Sequence, residues 1–283
     1  MAHLTPAENL WSLESEDALT AGALGFMPRI LVLTTLPHRR PASHRLERIN
    51  GRHTLRLSAP RTVGLPYGSY PRLLLAYLTT EAVRSKNPEI DLGASANELA
   101  RRLGLSVISG PRGTAARLEN QLHRLTCMRL EWKASLGIHP LPSGSGSMTV
   151  GGSWWSAVLR QMLPRQPTWR PRVVLGQEFF DETRRSAIPV DLRAAHHLRR
   201  SPLAIDLYVW LTYRMSYLRK PTHIPWAALQ SQFGAAYSRP RDFRRRALAH
   251  LEDVVRVYSR VRVSQTDTGL RLYPSPPHVQ ALP

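Results

Sequence analysis

The stretch that decides the fold is Ser238-Arg-Pro-Arg-Asp-Phe-Arg-Arg-Arg-Ala-Leu-Ala-His-Leu-Glu-Asp-Val-Val-Arg-Val-Tyr258. Its start carries helix signals: Ser238 as an acceptor for the first turn, Pro240 at the first helical position, and Asp242 near the positive helix end. At about 100° per residue, Phe243, Ala247, Leu251, Val254 and Tyr258 share one face, flanked by Leu248 and Val255. Arg241, Arg245 and Arg256 project from the other side, with Arg246 and His250 at its edge. Arg244 falls nearer the apolar face and is expected to lay its stem along it. The sequence therefore predicts a helix with a buried apolar face and a cationic outer face.

Upstream, Pro225-Trp-Ala-Ala-Leu-Gln-Ser-Gln-Phe-Gly234 reads as a short helix with Trp226, Leu229 and Phe233 inward and Gly234 as its stop. Downstream, Arg260 to Tyr273 alternates charged and apolar residues around Thr266-Asp267-Thr268-Gly269, the pattern of a hairpin. A short helix, a turn, a basic helix and a hairpin form the grammar of a winged helix. In such a unit one helix enters the major groove and the hairpin lies on the flanking backbone.

The same order is written earlier in the chain. Pro71 to Ser85 reads as a helix with Leu74, Tyr77 and Leu78 as core candidates, and Ser95 to Gly104 as a second, with Leu99 and Leu103 inward. Pro111 to Leu125 reads as a third, followed by a strand from Thr126 to Lys133. In the third helix Ala115, Leu118, Leu122 and Leu125 share a face, with Arg117, Asn120 and Arg124 opposite. An offset of 130 places Leu99, Leu103, Gly104, Leu118 and Leu125 on Leu229, Phe233, Gly234, Leu248 and Val255. An offset of 133 places Tyr77 to Thr80 on Trp210 to Tyr213, inside a helix expected from Pro202 to Leu218. This internal repeat predicts a mainly α chain with short β hairpins (α+β), organised as tandem winged-helix, helix-turn-helix domains.

The expected organisation is an N-terminal arm or subdomain over 1–64, a first winged-helix domain over 65–136, and a linker with a bridging strand over 137–185. A second winged-helix domain follows over 186–275, then a disordered tail over 276–283. Within the arm, Ile30 to Thr34 reads as a buried strand or a helix start, and Arg48 to Leu57 as a turn at Asn50-Gly51 followed by a strand. Pro140 to Ser147 reads as a flexible loop beside Gly152-Ser-Trp-Trp155, and Val173 to Phe180 as a strand.

Lys plus Arg number 39 against 20 for Asp plus Glu in 283 residues, a formal charge of +19. Such an excess implies a polyanionic partner, most simply nucleic acid. Lys86, Lys133 and Lys220 are the only lysines. A GC-rich coding bias accounts for arginine in place of lysine better than for a twofold excess of bases over acids. Cys127 is the single cysteine, which excludes an internal disulfide and a cysteine-cluster zinc site and fits a reducing cytoplasm. The run Ile30 to Leu36 is too short to span a bilayer, and the acidic stretch Glu8 to Asp17 lacks the basic start of a secretory signal.

Catalytic patterns are missing. The chain has no Gly-Lys dipeptide for a Walker-type phosphate loop, no G-x-S-x-G and no H-E-x-x-H. His196-His197 points in two directions on a helix, and Glu178, Asp181 and Glu182 read better as a solvated acidic turn beside Arg184 and Arg185 than as a divalent-ion site. Tyr67 and Tyr70 flank Gly68 as core or backbone contacts. No catalytic residue, cofactor or metal is expected.

Several longer stretches resemble the plasmid-encoded RepA replication initiators. These are Gly25-Phe-Met-Pro-Arg-Ile-Leu-Val-Leu-Thr-Thr-Leu-Pro-His38, Gly64 to Val83, Ser201 to Arg214, and Ile224 to Gly234 with Arg241-Asp-Phe243. The likeness extends from about Gly25 to Ser275. One departure is Ser109 in Ser109-Gly-Pro-Arg-Gly113, where the family favours glycine. The resemblance implies a bacterial DNA-binding protein that binds repeats at the double-stranded plasmid origin, helps open adjacent DNA, and recruits the host replication initiator and replicative helicase. It also implies control of copy number, with a homodimer repressing the initiator's own gene while the monomer starts replication.

The residues add a mechanism: two helices on one chain can occupy successive major grooves about one helical turn apart. The expected DNA-binding residues are Arg112, Arg117, Asn120 and Arg124 in the first unit and Arg239, Arg241, Arg245 and Arg246 in the second. Arg260, Arg262 and Arg271 on the hairpin are expected to grip phosphates. Arginine pairs with guanine O6 and N7, and asparagine with adenine. The alternatives are a winged-helix repressor without initiator activity, a primase or nicking enzyme, which needs a carboxylate cluster the sequence does not show, and a basic RNA-binding or structural protein with no sequence preference.

Overall fold

A computed structural model describes residues 17–51, 53–134, 144–151, 172–234 and 237–279. The acidic residues before Asp17, Pro140 to Ser143, Gly152-Ser-Trp-Trp155 and the last four residues lie outside these.

The described chain opens with β1 (Leu24–Met27), α1 (Arg29–Leu33) and a hairpin of β2 (Arg45–Asn50) and β3 (His53–Ser58). The first unit follows as α2 (Ser69–Ser85), β4 (Glu89–Asp91), α3 (Ala96–Arg102), α4 (Thr114–Thr126), β5 (Arg129–Ala134) and β6 (Gly144–Gly151). Next come β7 (Arg172–Leu175), α5 (Gln177–Ser186), β8 (Ile188–Asp191), α6 (Leu192–His197) and a 3-10 turn, Leu198–Arg200. The second unit is α7 (Pro202–Tyr217), β9 (Thr222–Pro225), α8 (Trp226–Phe233), α9 (Pro240–Val257), β10 (Arg262–Gln265) and β11 (Gly269–Tyr273). The fold is mixed α+β, and the order helix, strand, helix, helix, strand, strand occurs twice.

Each unit is built on a helix apolar almost all round. In α7, Leu203 to Thr212 are buried without a break, so this helix has no wet stripe and sits at the centre. Ser201 accepts the Ala204 amide at 3.2 Å and Pro202 occupies the first helical position, which sets where α7 begins. One continuous core, from Met27 to Leu272, runs through both units.

The two units differ in their sheets. In the second, the strand order is β10-β11-β9, all antiparallel. In the first, β7 lies between β6 and β4, and β3 adds the β2-β3 hairpin to the outer side of β5, giving the order β2-β3-β5-β6-β7-β4. The repeat predicted from the sequence is therefore real in element order, but the first copy is extended on both sides of its own hairpin.

That extension corrects several expectations. From β1 to β3 the expected arm is joined to the rest of the fold: Leu55 and Leu57 of β3 are 0% and 1% exposed against β5, and Gly25 and Phe26 pair with Val190 and Pro189 of β8. Ile30 to Leu33 is helical, as one of its two readings had it. Gly144 to Ser147 joins β6, because backbone pairing with β5 organises a run whose composition alone reads as loop. Only Val173 to Leu175 of the expected strand is extended, in a strand that begins one residue earlier; Phe179 and Phe180 stand in α5, where Phe179, Phe180 and Thr183 bury one helical face.

The tail is also docked as far as Val279. The Ser275 hydroxyl accepts the Arg262 amide at 2.9 Å, the Tyr258 hydroxyl donates to the Pro276 carbonyl, and the Tyr208 hydroxyl lies 2.8 Å from His278 Nδ1. Tyr208 and Tyr258 are both 0% exposed, and the Tyr208 hydroxyl also accepts the Asp191 amide at 2.9 Å, so the tail is bonded to groups anchored in the core. Among the described residues no helix is long and apolar enough to cross a membrane.

Candidate nucleic-acid interface

The helix read first from the sequence is α9, and its apolar face is buried as expected: Phe243, Ala247, Leu251, Val254 and Val255, with Tyr258 just beyond its end. Ser238 does not cap it. The cap position is Arg239, no side chain closes the first turn, and Pro240, lacking an amide hydrogen, removes one of the donors a cap would serve.

Arg239, Arg241, Arg245, Arg246 and Arg256 are exposed. Along the row the acids are few: Asp242 stands 3.8 Å from Arg245, and Asp253 pairs with Arg256 at 3.0 Å. Arg244 behaves as its position on the helix predicts. Its guanidinium lies 5.4 Å from the Trp226 ring centre and donates to the Asp267 carbonyl at 3.3 Å, so it clamps α9 to α8 and to the β10-β11 turn.

Arg262 and Arg271 are carried on a different surface. In the β10-β11 hairpin Val263, Leu270 and Leu272 are buried toward the helices, so Arg262 and Arg271 stand on the outer face of the sheet, Arg262 over the Tyr273 ring at 5.6 Å. Arg260 is exposed in the turn after α9. The structure thus carries Arg241, Arg245 and Arg246 exposed on α9, with Arg239 at its start, and Arg262 and Arg271 exposed on the β10-β11 hairpin.

In the first unit α4 exposes Arg117 and Asn120, with Arg112 exposed just before it. Arg124 departs from the expected outward role. It is 8% exposed, donates to the carbonyls of Val63 and Leu65 and to Asn120 Oδ1 at 2.9 Å, and lies over the Tyr67 ring. The helix turns it inward because the preceding loop offers carbonyls that only a multidentate donor can satisfy together. Asn120 is constrained in consequence, since its oxygen also accepts Gln121 Nε2 at 3.3 Å. Bidentate reading of adenine would require that oxygen to release Arg124.

Sequence reasoning missed the buried charge cluster that joins the units. Arg72 of α2 donates through Nε and Nη2 to the two carboxylate oxygens of Asp206 in α7, each at 2.7 Å. It also donates to the carbonyls of Gly68 at 2.6 Å and Leu36 at 2.7 Å. His38 Nε2 lies 2.8 Å from Asp206 Oδ2, and the buried Arg48 feels the same carboxylate. Burial alone would raise the Asp206 carboxyl, but Arg72 and His38 outweigh it and hold it below the usual range. The His38 imidazole is held below its usual range, chiefly by burial. A charge inside each of two apolar runs, Pro71-Arg-Leu-Leu-Leu75 and Leu203-Ala-Ile-Asp-Leu207, was the signal in the sequence.

The remaining polar clusters are structural in their bonding. Glu178, Asp181 and Glu182 lie on α5 rather than in a solvated turn, and Glu182 is buried beside Arg29 at 3.4 Å. His196 packs on Gly104, its ring held below the usual imidazole range mainly by burial. An open cleft of about 800 Å3 between α2, the end of α3 and α6 carries Arg84, Arg102 and Arg193. Arg102 is bonded to Tyr77 and Glu98, Arg193 to Asp191, and Arg84 to the Leu24 carbonyl. Among the described residues no group of three or more His, Cys, Asp or Glu side chains is placed to hold a metal ion.

The fold defines a class. The chain superposes on the crystal structure of RctB domains 2-3 (residues 155–483) with a TM-score of 0.51 at 13% identity, covering 86% of this chain and 94% of that one. A selenomethionine derivative of the same two RctB domains gives 0.52 at 13% identity, covering 89% and 99%. No curated protein sequence matches the chain. Residues 65–226 match the family described as plasmid encoded RepA protein, more than half of the chain, and the protein belongs to that family. The match runs from the loop before α2 to the first residue of α8, so it takes in the first unit and the central helix of the second. Membership supports a replication-initiator role.

Proposed function

We propose that the protein is a sequence-specific double-stranded DNA-binding initiator of plasmid replication, acting through two winged-helix units. The observation that carries this reading is the outer face of α9, where Arg239, Arg241, Arg245 and Arg246 are exposed on a helix whose other face is locked into the core. A rigid helix presenting arginines to solvent is suited to the major groove, where arginine pairs with guanine. The helix order and the β10-β11-β9 sheet support the winged-helix assignment of the second unit, and the repeated element order extends it to the first.

In the first unit Arg112, Arg117 and Asn120 are the groove candidates, and Arg124 supports the helix from behind. Arg260, Arg262 and Arg271 add to the attractive field and to backbone contacts at the flanks. The chain acts by binding, without a reaction of its own. Binding at origin repeats, recruitment of the host initiator and replicative helicase, and a repressing homodimer follow from the family resemblance, with action in the bacterial cytoplasm.

The test is selection of bound sequences from random duplex DNA near physiological salt, followed by titration of the selected site against scrambled DNA. A motif longer than one half-site, recurring beside an AT-rich stretch near the gene, is the expected result. Equal affinity for every sequence, falling only with salt, would overturn the reading.

A further inference from the structure

Four large apolar side chains are exposed among the described residues, and two of them are neighbours: Val107 at 40% and Ile108 at 63%. They sit in the turn between α3 and α4, directly before the exposed Arg112 and Arg117. The turn is not loose. Thr114 Oγ1 donates to the Ser106 carbonyl at 2.7 Å and accepts the Ile108 amide at 3.3 Å, while the Thr114 amide donates to the Ile108 carbonyl at 3.0 Å. Gly113 is required for this closure, since a Cβ there would stand 2.1 Å from the Ile108 oxygen. The chain therefore fixes two aliphatic side chains in water, where burial would ordinarily be favoured.

The other unit shows the contrast. With the offset of 130 that aligns the repeats, Val107 corresponds to Tyr237, and Tyr237 folds inward, its ring 5.7 Å from that of Phe243. The apolar group of the same turn packs against the core in one unit and is held outside in the other.

We propose that Ile108, supported by Val107, contacts the 5-methyl group of thymine in the major groove beside α4 and so sets sequence preference for the first unit. The inference rests on the reading that this face engages duplex DNA. Thymine presents the only methyl group among the major-groove base edges, and aliphatic contact is how proteins recognise it. Arg112 and Arg117, exposed on the same approach, attract the duplex to this face, and the fixed backbone of the loop reduces the entropy lost on contact.

The experiment uses the full chain and its selected DNA site, with each thymine replaced in turn by deoxyuridine, which removes only the methyl. The native protein is expected to lose roughly fourfold in affinity at one base pair or two adjacent ones, the equivalent of one buried methyl-sized group. Ile108→Ser is expected to bind the selected site about fourfold more weakly, to be indifferent to deoxyuridine at that position, and to bind scrambled DNA like the native protein. Both side chains are exposed, so the variant keeps its fold, and Val107→Ser supplies a second reading of the same position. A site-selective native protein that tolerates every such replacement, or an Ile108→Ser variant that keeps the full sensitivity, overturns the inference alone. A native protein with no sequence preference removes the inference together with the function proposed above.

Discussion

Replacing Asp206 by alanine measures how firmly the two units are locked. The side chains of Arg72 and Asp206 are 2% and 6% exposed, and two hydrogen bonds of 2.7 Å join them. Removing the carboxylate leaves a guanidinium in the core with only the neutral carbonyls of Gly68, Leu36 and Pro37 as acceptors. Breaking a buried pair from one side typically costs about 3–5 kcal/mol. Set against a total stability of about 5–15 kcal/mol, Asp206→Ala is expected to lower the urea midpoint severely. Removing both charges together, as Arg72→Met with Asp206→Leu, is expected to recover at least about half of that loss, because the Arg72 guanidinium is no longer left buried without its carboxylate, while Arg48 still loses the field of Asp206. The assay is urea unfolding followed by tryptophan fluorescence for both variants. A cost below about 1 kcal/mol for Asp206→Ala, the range of an ordinary surface change, would refute the view that this pair is a buried lock.

Three further outcomes follow. His38, His53 and His196 each have a folded pKa lowered first of all by burial, so their stabilising contribution is complete above the ordinary imidazole value of 6.5 and is lost as pH falls through the lower folded values. The depressed Asp206 carboxyl adds a second loss as pH falls from its ordinary value of 3.8 toward its folded one; a urea midpoint that rose between pH 7.5 and pH 5.5 would contradict the first of these. Arg245→Ala is expected to cost about 1–3 kcal/mol on the selected site and nothing on scrambled DNA, whereas Arg246→Ala weakens both and reduces the salt slope by about 1; competition titrations at several salt concentrations distinguish them. Gly269→Ala is expected to destabilise by about 1–3 kcal/mol, because the added carbon would lie 2.1 Å from the Ile224 carbonyl and force β9 from β11; thermal unfolding measures it.

How much of this could be read from the chain depended on whether the signal was local. The helices were legible because Leu118, Leu122 and Leu125 in α4 and Phe243, Ala247, Leu251 and Val254 in α9 recur at helical spacing, and the exposed arginines within α9 follow from the same count. Arg124 was misplaced because its spacing from Arg117 is seven residues, the same face, while its actual orientation is set by the Val63 and Leu65 carbonyls about sixty residues away. The six-stranded sheet was hidden for the same reason: β6 is rich in glycine and serine, and only its pairing with β5 and β7 makes it a strand. The docking of His278 on Tyr208 was invisible because a proline-rich end carries no periodicity to announce it.

The seams at the start of the chain also have a consequence for its synthesis. β1 is completed by β8, about 160 residues later, and the Val32 carbonyl waits for the Gln232 side chain, 200 residues on. At ordinary ribosomal rates of roughly 5–20 residues per second, the first strand spends on the order of 10–30 s outside the ribosome before its partner exists. The chain cannot mature from its beginning toward its end as separate modules would; its N-terminal segment is completed only after most of the protein has emerged.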